Sequence, residues 1–164
     1  MADLTQAMGL NPSSIYAAFG DKHTLFDHAV KRYLSSRAQY AVKALEEPTL
    51  DRVVRALFDN TVAFLTTPGH PPTCMTLAGA MGCSVEAAPA RDLMMEVRKQ
   101  NEAAIKERLL VARKAGELSK DINVDDYTRY LYIIARRPLH PGSKRSSKAE
   151  LKRTAQTHSN IWVT

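Results

Sequence analysis

The chain has 164 residues, 45% of them apolar, with a formal net charge of +6, which suffices for one or two compact cores. No continuous apolar run approaches the roughly 20 residues needed to span a bilayer, and the N-terminus lacks the basic-then-apolar layout of a secretory signal, so a soluble cytoplasmic protein with no membrane partner is expected. The charge is lopsided: residues 129–164 hold eight basic side chains against Glu150 alone, leaving 15 basic and 16 acidic elsewhere, so bulk charge does not argue for nucleic-acid binding at the other end.

The first elements lie between Asp3 and Phe19. Leu4, Ala7 and Met8 put apolar or small side chains on one face of a short helix, and Gly9 follows where the chain must turn sharply. Asn11 is a good N-cap and Pro12 suits the first position of a second helix, where its missing N–H is no loss. Ile15, Tyr16 and Phe19 give that helix a face to bury, while Asn11, Ser13, Ser14, Ala17 and Ala18 keep the rest small or polar. A helix that enters a major groove needs such a face, short enough to approach base edges and able to hydrogen-bond. Ordinary helical hairpins share the layout, so the continuation matters. Gly20-Asp21-Lys22 follows directly, with Asp21 able to cap a third helix and Lys22 placed beside its N-terminus to reach a backbone phosphate.

The run from Asp3 to Phe26 resembles the helix-turn-helix of TetR/AcrR-type transcriptional regulators, whose pattern has a glycine turn, a recognition helix ending in Tyr-x-x-Phe and a lysine opening the next helix. Here these are Gly9, Tyr16-Ala-Ala-Phe19 and Lys22, followed by Leu25-Phe26. The resemblance implies that Asn11, Pro12, Ser13, Ser14 and Tyr16 face a double-stranded DNA operator, with Lys22 on phosphate and Phe19, Leu25 and Phe26 packing. It also implies a small-molecule effector, a homodimer and no cofactor. Family members carry one more helix ahead of this pair, and the chain is expected to lack it, leaving Leu4, Met8, Ile15 and Phe19 partly uncovered unless the next helix covers them.

Beyond Lys22 the apolar pattern runs through Leu25, Phe26, Ala29, Val30, Tyr33, Leu34, Tyr40, Val42 and Leu45 to Glu46-Glu47-Pro48, and predicts one long helix joining head to body. Thr49 or Pro48 opens the next helix, whose apolar face runs from Leu50 through Val53, Val54, Leu57, Phe58, Thr61 and Val62 to Leu65. Thr67-Pro-Gly-His-Pro-Pro72 breaks it. The segment from Cys74 to Val85 is small and methionine-rich, which suits either tight helix packing or the wall of a ligand pocket. Pro89 starts a helix through Leu93, Met94, Val97, Ile105 and Leu109 that Gly116 ends, and Ala112-Arg-Lys-Ala-Gly-Glu-Leu118 again resembles the family. Asp125 or Asp126 heads the next helix, to Ala135. In the family this helix and the last, here Ser147 to about Trp162, pack against their symmetry mates. The Arg136–Ser143 break and the basic last helix depart from the family pattern at that interface.

The expected fold is all-α, with a helix-turn-helix DNA-binding domain over 1–40 and a helical ligand-binding and dimerisation domain over 41–164. Cys74 and Cys83 read as small buried thiols, and the five scattered histidines include His23 and His28, which miss the i, i+4 spacing of paired metal ligands. No nucleophile-base motif or phosphate loop suggests an enzyme. Two functions stand: a ligand-responsive transcriptional regulator, usually a repressor in this family, or a truncated relative that no longer binds DNA and serves as a ligand- or partner-binding helical module.

Overall fold

The computed structural model describes residues 2–69, 73–78, 87–135, 149 and 153, and every regular element among them is helical. In chain order they are α1 (Ala2–Met8), α2 (Pro12–Phe19), α3 (Lys22–Ser35), α4 (Gln39–Leu45), α5 (Leu50–Leu65), α6 (Met75–Ala78), α7 (Ala88–Lys114) and α8 (Val124–Ala135). The expected Arg136–Ser143 break, the expected last helix apart from Ala149 and Arg153, Cys83, and the Gly79–Val85 part of the soft segment lie outside the described residues.

Helix ends follow local chemistry. Asn11, Asp21 and Thr49 each take extended backbone geometry and accept a bond from the N–H three residues on, which starts α2, α3 and α5. The α5 start is further held from the far side of the chain, because the Glu117 carboxylate accepts the Leu50 N–H. Pro89 sits in the first turn of α7, as expected. The start of α8 differs from expectation. Asn123, not Asp125 or Asp126, supplies the cap, its Oδ1 accepting from the N–H groups of both aspartates. The two acids instead occupy the first turn, where the helix dipole favours negative charge.

The long helix expected from Lys22 to Leu45 is two. Helix α3 stops at Ser35 and α4 resumes at Gln39. The Ser35 and Ser36 hydroxyls both donate to the Arg32 carbonyl, and Ser36 and Ala38 turn their N–H groups onto the Tyr33 carbonyl. Paired serines that compete for backbone acceptors in this way bend or end a helix. Apolar spacing runs straight through such a break.

The core of the body is built where α5, α7 and α8 meet. Leu50, Val54 and Phe58 of α5 bury against Ile105, Leu109 and Ala112 of α7 and Val124, Tyr127 and Leu131 of α8. Ala44 of α4 fills a second contact with Val53 and Leu57 on the adjoining face of α5. The apolar face anticipated for α5 is buried from Leu50 to Val62. Helix α3 touches α2 at one end of the chain's course and α7 at the other, so it mechanically links head and body.

Two phenols, Tyr127 buried in this core and Tyr33 half-buried at the end of α3, give the body a pH signature. Burial, then the neighbouring Tyr130, pushes Tyr127 up to about 12, and burial followed by the hydrogen bond to Cys74 raises Tyr33 as well. Below pH 10 these phenols are protonated whether the chain is folded or not, so they add no pH dependence. Above pH 10 the unfolded chain releases protons that the folded chain retains, and stability falls from about pH 10 to 12. Tm measured across that range should drop steadily, and the drop should shrink in Tyr127→Phe.

Candidate nucleic-acid interface

Helix α2 is eight residues long, about 12 Å at 1.5 Å per residue, against a major groove about 12 Å wide. Its inner side is fixed by Ile15, which is only 1% exposed. Phe19 is half-buried with its ring tilted against the His28 ring of α3 at 5.9 Å. Its outer side is open. Asn11, Pro12, Ser13, Ser14, Tyr16, Ala17 and Ala18 are all exposed, and Ser13, Tyr16 and Ala17 share one stripe by i, i+3, i+4 spacing. Tyr16 is 41% exposed. The six residues singled out from the sequence, Lys22 included, therefore lie at the surface on α2, its cap and the start of α3.

Two left-handed glycines bracket the helix. Gly9 has φ of 63° and Gly20 of 80°, and an added Cβ would meet nothing within 4 Å at either. The need for glycine is thus conformational rather than spatial, and a side chain there costs roughly 1 kcal/mol or more. Gly20 also gives its N–H to the Tyr16 carbonyl at 2.8 Å, which closes α2. One residue later Asp21 caps α3, its Oδ1 accepting the Thr24 N–H at 2.8 Å. That backbone bond is the main reason its carboxyl lies below the usual aspartate range. Lys22 then stands exposed on the first turn of α3, beside that cap, where its ammonium group is open to a phosphate.

Asn11 has a structural duty besides any contact with DNA. Its Oδ1 accepts the Ser14 N–H at 2.8 Å, which commits the carbonyl end of the carboxamide to the cap. Asn11→Ala is expected to destabilise the head by about 1 kcal/mol, seen as faster amide exchange over Ser13 to Ile15 with the body unchanged.

Not every side chain of the head is covered. Leu4 and Met8 of α1 are each 40% exposed, as expected from the sequence, and Leu10, which was not singled out, is 45% exposed. Ile15 is fully covered instead, with α3 packed alongside α2. His23 and His28 are both exposed on α3. Among the described residues no three His, Cys, Asp or Glu side chains come together as metal ligands would, and no helix is long and apolar enough to cross a membrane.

A second feature lies at the far end of α3. A cavity of about 170 Å³ opens between the α3–α4 turn, the Cys74–Thr76 segment and α7. Tyr33 from the last turn of α3 donates its hydroxyl to Cys74 Sγ at 3.5 Å and accepts the Met75 N–H at 3.4 Å. Cys74 Sγ is 3.0 Å from Thr76 Oγ1. Gln100 and Asn101 line the α7 side. The sequence pointed to the Cys74 segment as a possible pocket wall, but Tyr33, Tyr40, Gln100 and Asn101 were not foreseen there. Tyr33 and Tyr40 read as members of the apolar stripe, and no pattern in the sequence singled out Gln100 or Asn101.

Known proteins share this all-helical fold. A family model described as the tetracyclin repressor-like C-terminal domain matches residues 49–157. The HTH-type transcriptional regulator YezE of Bacillus subtilis (strain 168) is 29% identical over 133 residues, covering 80% of this chain and 69% of that protein. Among solved structures, a cysteine mutant of the TetR family transcriptional regulator CifR, complexed with 26-bp double-strand operator DNA, superposes with a TM-score of 0.86. It is 25% identical and the match covers 99% of this chain and 85% of that one. A TetR transcriptional regulator from Rhodococcus sp. RHA1 is 26% identical with a TM-score of 0.65, covering 99% of this chain and 87% of that one.

Proposed function

Because the chain belongs to the TetR family of transcriptional regulators, we propose that it binds an operator in double-stranded DNA and acts as a repressor that a small molecule releases. The observation that carries this reading is α2: a short helix capped at both ends, pinned by Ile15, with small and polar side chains outward. The likeness to CifR held on its operator supports it. In this reading α2 enters the major groove, where Ser13, Ser14 and Tyr16 reach bases or sugar-phosphate, Asn11 and Pro12 approach the backbone, and Lys22 meets a phosphate.

The division that goes with it places the DNA-binding unit at residues 1–40 and the ligand-binding and dimerisation unit at 41–164, with the Ser36–Ala38 turn near the boundary. A homodimer would set two copies of α2 about one helical turn of DNA apart. Val111 of α7 and Ile133 of α8, 54% and 66% exposed, support a self-associating face on those helices. Release follows from linkage. An effector that prefers the body conformation in which the two heads mismatch successive grooves lowers operator affinity by the coupling free energy. The role is one of binding rather than catalysis, exercised in the cytoplasm.

A reporter driven by the DNA upstream of the protein's own gene tests the direction of control. Lower output when the chain is supplied is the expected result. Unchanged output overturns regulation at that site, and higher output overturns repression in favour of activation.

A further inference from the structure

We infer that the cavity under the α3–α4 turn is the effector site and that its ligand is an uncharged single-ring aromatic molecule carrying one hydrogen-bonding substituent. The inference rests on the regulator reading above for the word effector, but the site itself rests on geometry.

Size comes first. At about 170 Å³ the cavity is close to the roughly 150 Å³ that holds a benzene ring in an apolar protein interior, and well short of pockets for large ligands. Charge comes second. None of the described residues lining it carries a formal charge, so a carboxylate or ammonium group would meet no partner of opposite sign among them. The nearby guanidinium of Arg37 is engaged over the Phe64 ring at 5.2 Å. Shape and polarity come third. Leu34, Val42 and Val97 supply apolar wall. The Tyr33 hydroxyl, Cys74 Sγ and Thr76 Oγ1 form a polar group at one side, and Asn101 offers an amide at another, while the exposed Gln100 gives its side-chain N–H to Glu96. A ring for the apolar walls and one polar substituent for the Tyr33 hydroxyl satisfy both.

The site also has a route to the head. Tyr33 holds the cavity through its hydroxyl and the break between α3 and α4 through its carbonyl, which accepts from Ser36 N–H and from Ala38 N–H at 3.0 Å. A ligand substituent that takes the hydroxyl from Cys74 therefore acts on the residue that anchors the turn. The other end of α3 begins at Lys22, beside α2. Occupancy can shift the head only by as much as the ligand prefers one setting of that turn.

The test uses the whole chain and three probes: benzyl alcohol, toluene and benzoate. Thermal-shift titration should show saturable stabilisation by benzyl alcohol, weaker stabilisation by toluene and none by benzoate. Tyr33→Phe keeps the ring and should lose about two- to tenfold affinity for benzyl alcohol, the size of one neutral hydrogen bond, with toluene unchanged. Ala41→Phe, on the half-buried α4 wall, should abolish binding of both by filling the space. Equal stabilisation by benzoate, or binding indifferent to Ala41→Phe, overturns the site. Operator affinity is read separately by fluorescence anisotropy and should fall at least tenfold at saturating benzyl alcohol. Ligand binding with unchanged operator affinity overturns the effector role while leaving the site. Absence of any DNA binding overturns the regulator reading, and the thermal-shift arm still decides the cavity.

Discussion

Tyr16→Ala should weaken operator binding by about 5- to 150-fold, the range for losing one good contact worth 1–3 kcal/mol, while leaving the fold intact. Tyr16 is 41% exposed on the outer stripe of α2, so its truncation removes little packing and should change stability by no more than about 0.5 kcal/mol. The neighbouring position behaves oppositely. Ile15 is 1% exposed, so Ile15→Ala would abolish binding by loosening the head, with a fall in stability to match. Lys22→Ala supplies a third pattern. A phosphate contact carries no sequence information, so its loss should weaken operator and unrelated DNA alike and lower the salt slope by about 1. Anisotropy titrations at several salt concentrations, run beside denaturant melts, separate the three.

Leu109→Ala carries the largest expected effect on stability. Leu109 is 1% exposed at the meeting of α5, α7 and α8. Removing its branched end leaves a cavity that three helices cannot all close upon, at a cost of about 2–5 kcal/mol. Domains of this size have only about 5–15 kcal/mol in total. The urea midpoint should fall sharply at an unchanged m-value, because the surface exposed on unfolding is nearly the same. Leu110, one residue along and 40% exposed, makes the control: Leu110→Ala should shift the midpoint little. Comparable losses at both positions would contradict the packing described for α7.

Where the chemistry is local, the sequence spoke clearly. Asn11-Pro12 and Gly20-Asp21 marked the ends of α2 and the start of α3 because caps and left-handed turns depend on residues a few positions apart. The buried face of α5 was legible because helical period alone sorts its apolar side chains. The break at Ser36–Ala38 was not. It arises from serine hydroxyls competing for one carbonyl, a matter that apolar spacing does not register. At α8, Asn123, Asp125 and Asp126 are all competent caps. Burial of Val124 inside the helix settles the choice, and only the folded core reveals it. The cavity was least legible. Tyr33 and Tyr40 read as members of an apolar stripe, and their meeting with Gln100 and Asn101 depends on α7 packing across a gap of some sixty residues in sequence.

Fluorescence anisotropy of the intact chain against two duplexes tests the DNA-reading role of α2 most directly. One duplex is the DNA upstream of its own gene, and the other is the same composition in scrambled order, both at physiological salt. Binding to the first at least a thousandfold tighter than to the second, in line with specific regulators, and reduced towards the scrambled level by Tyr16→Ala, is the expected result. Equal affinity for the two duplexes, or a preference that survives Tyr16→Ala, Ser13→Ala and Ser14→Ala made together, would contradict it.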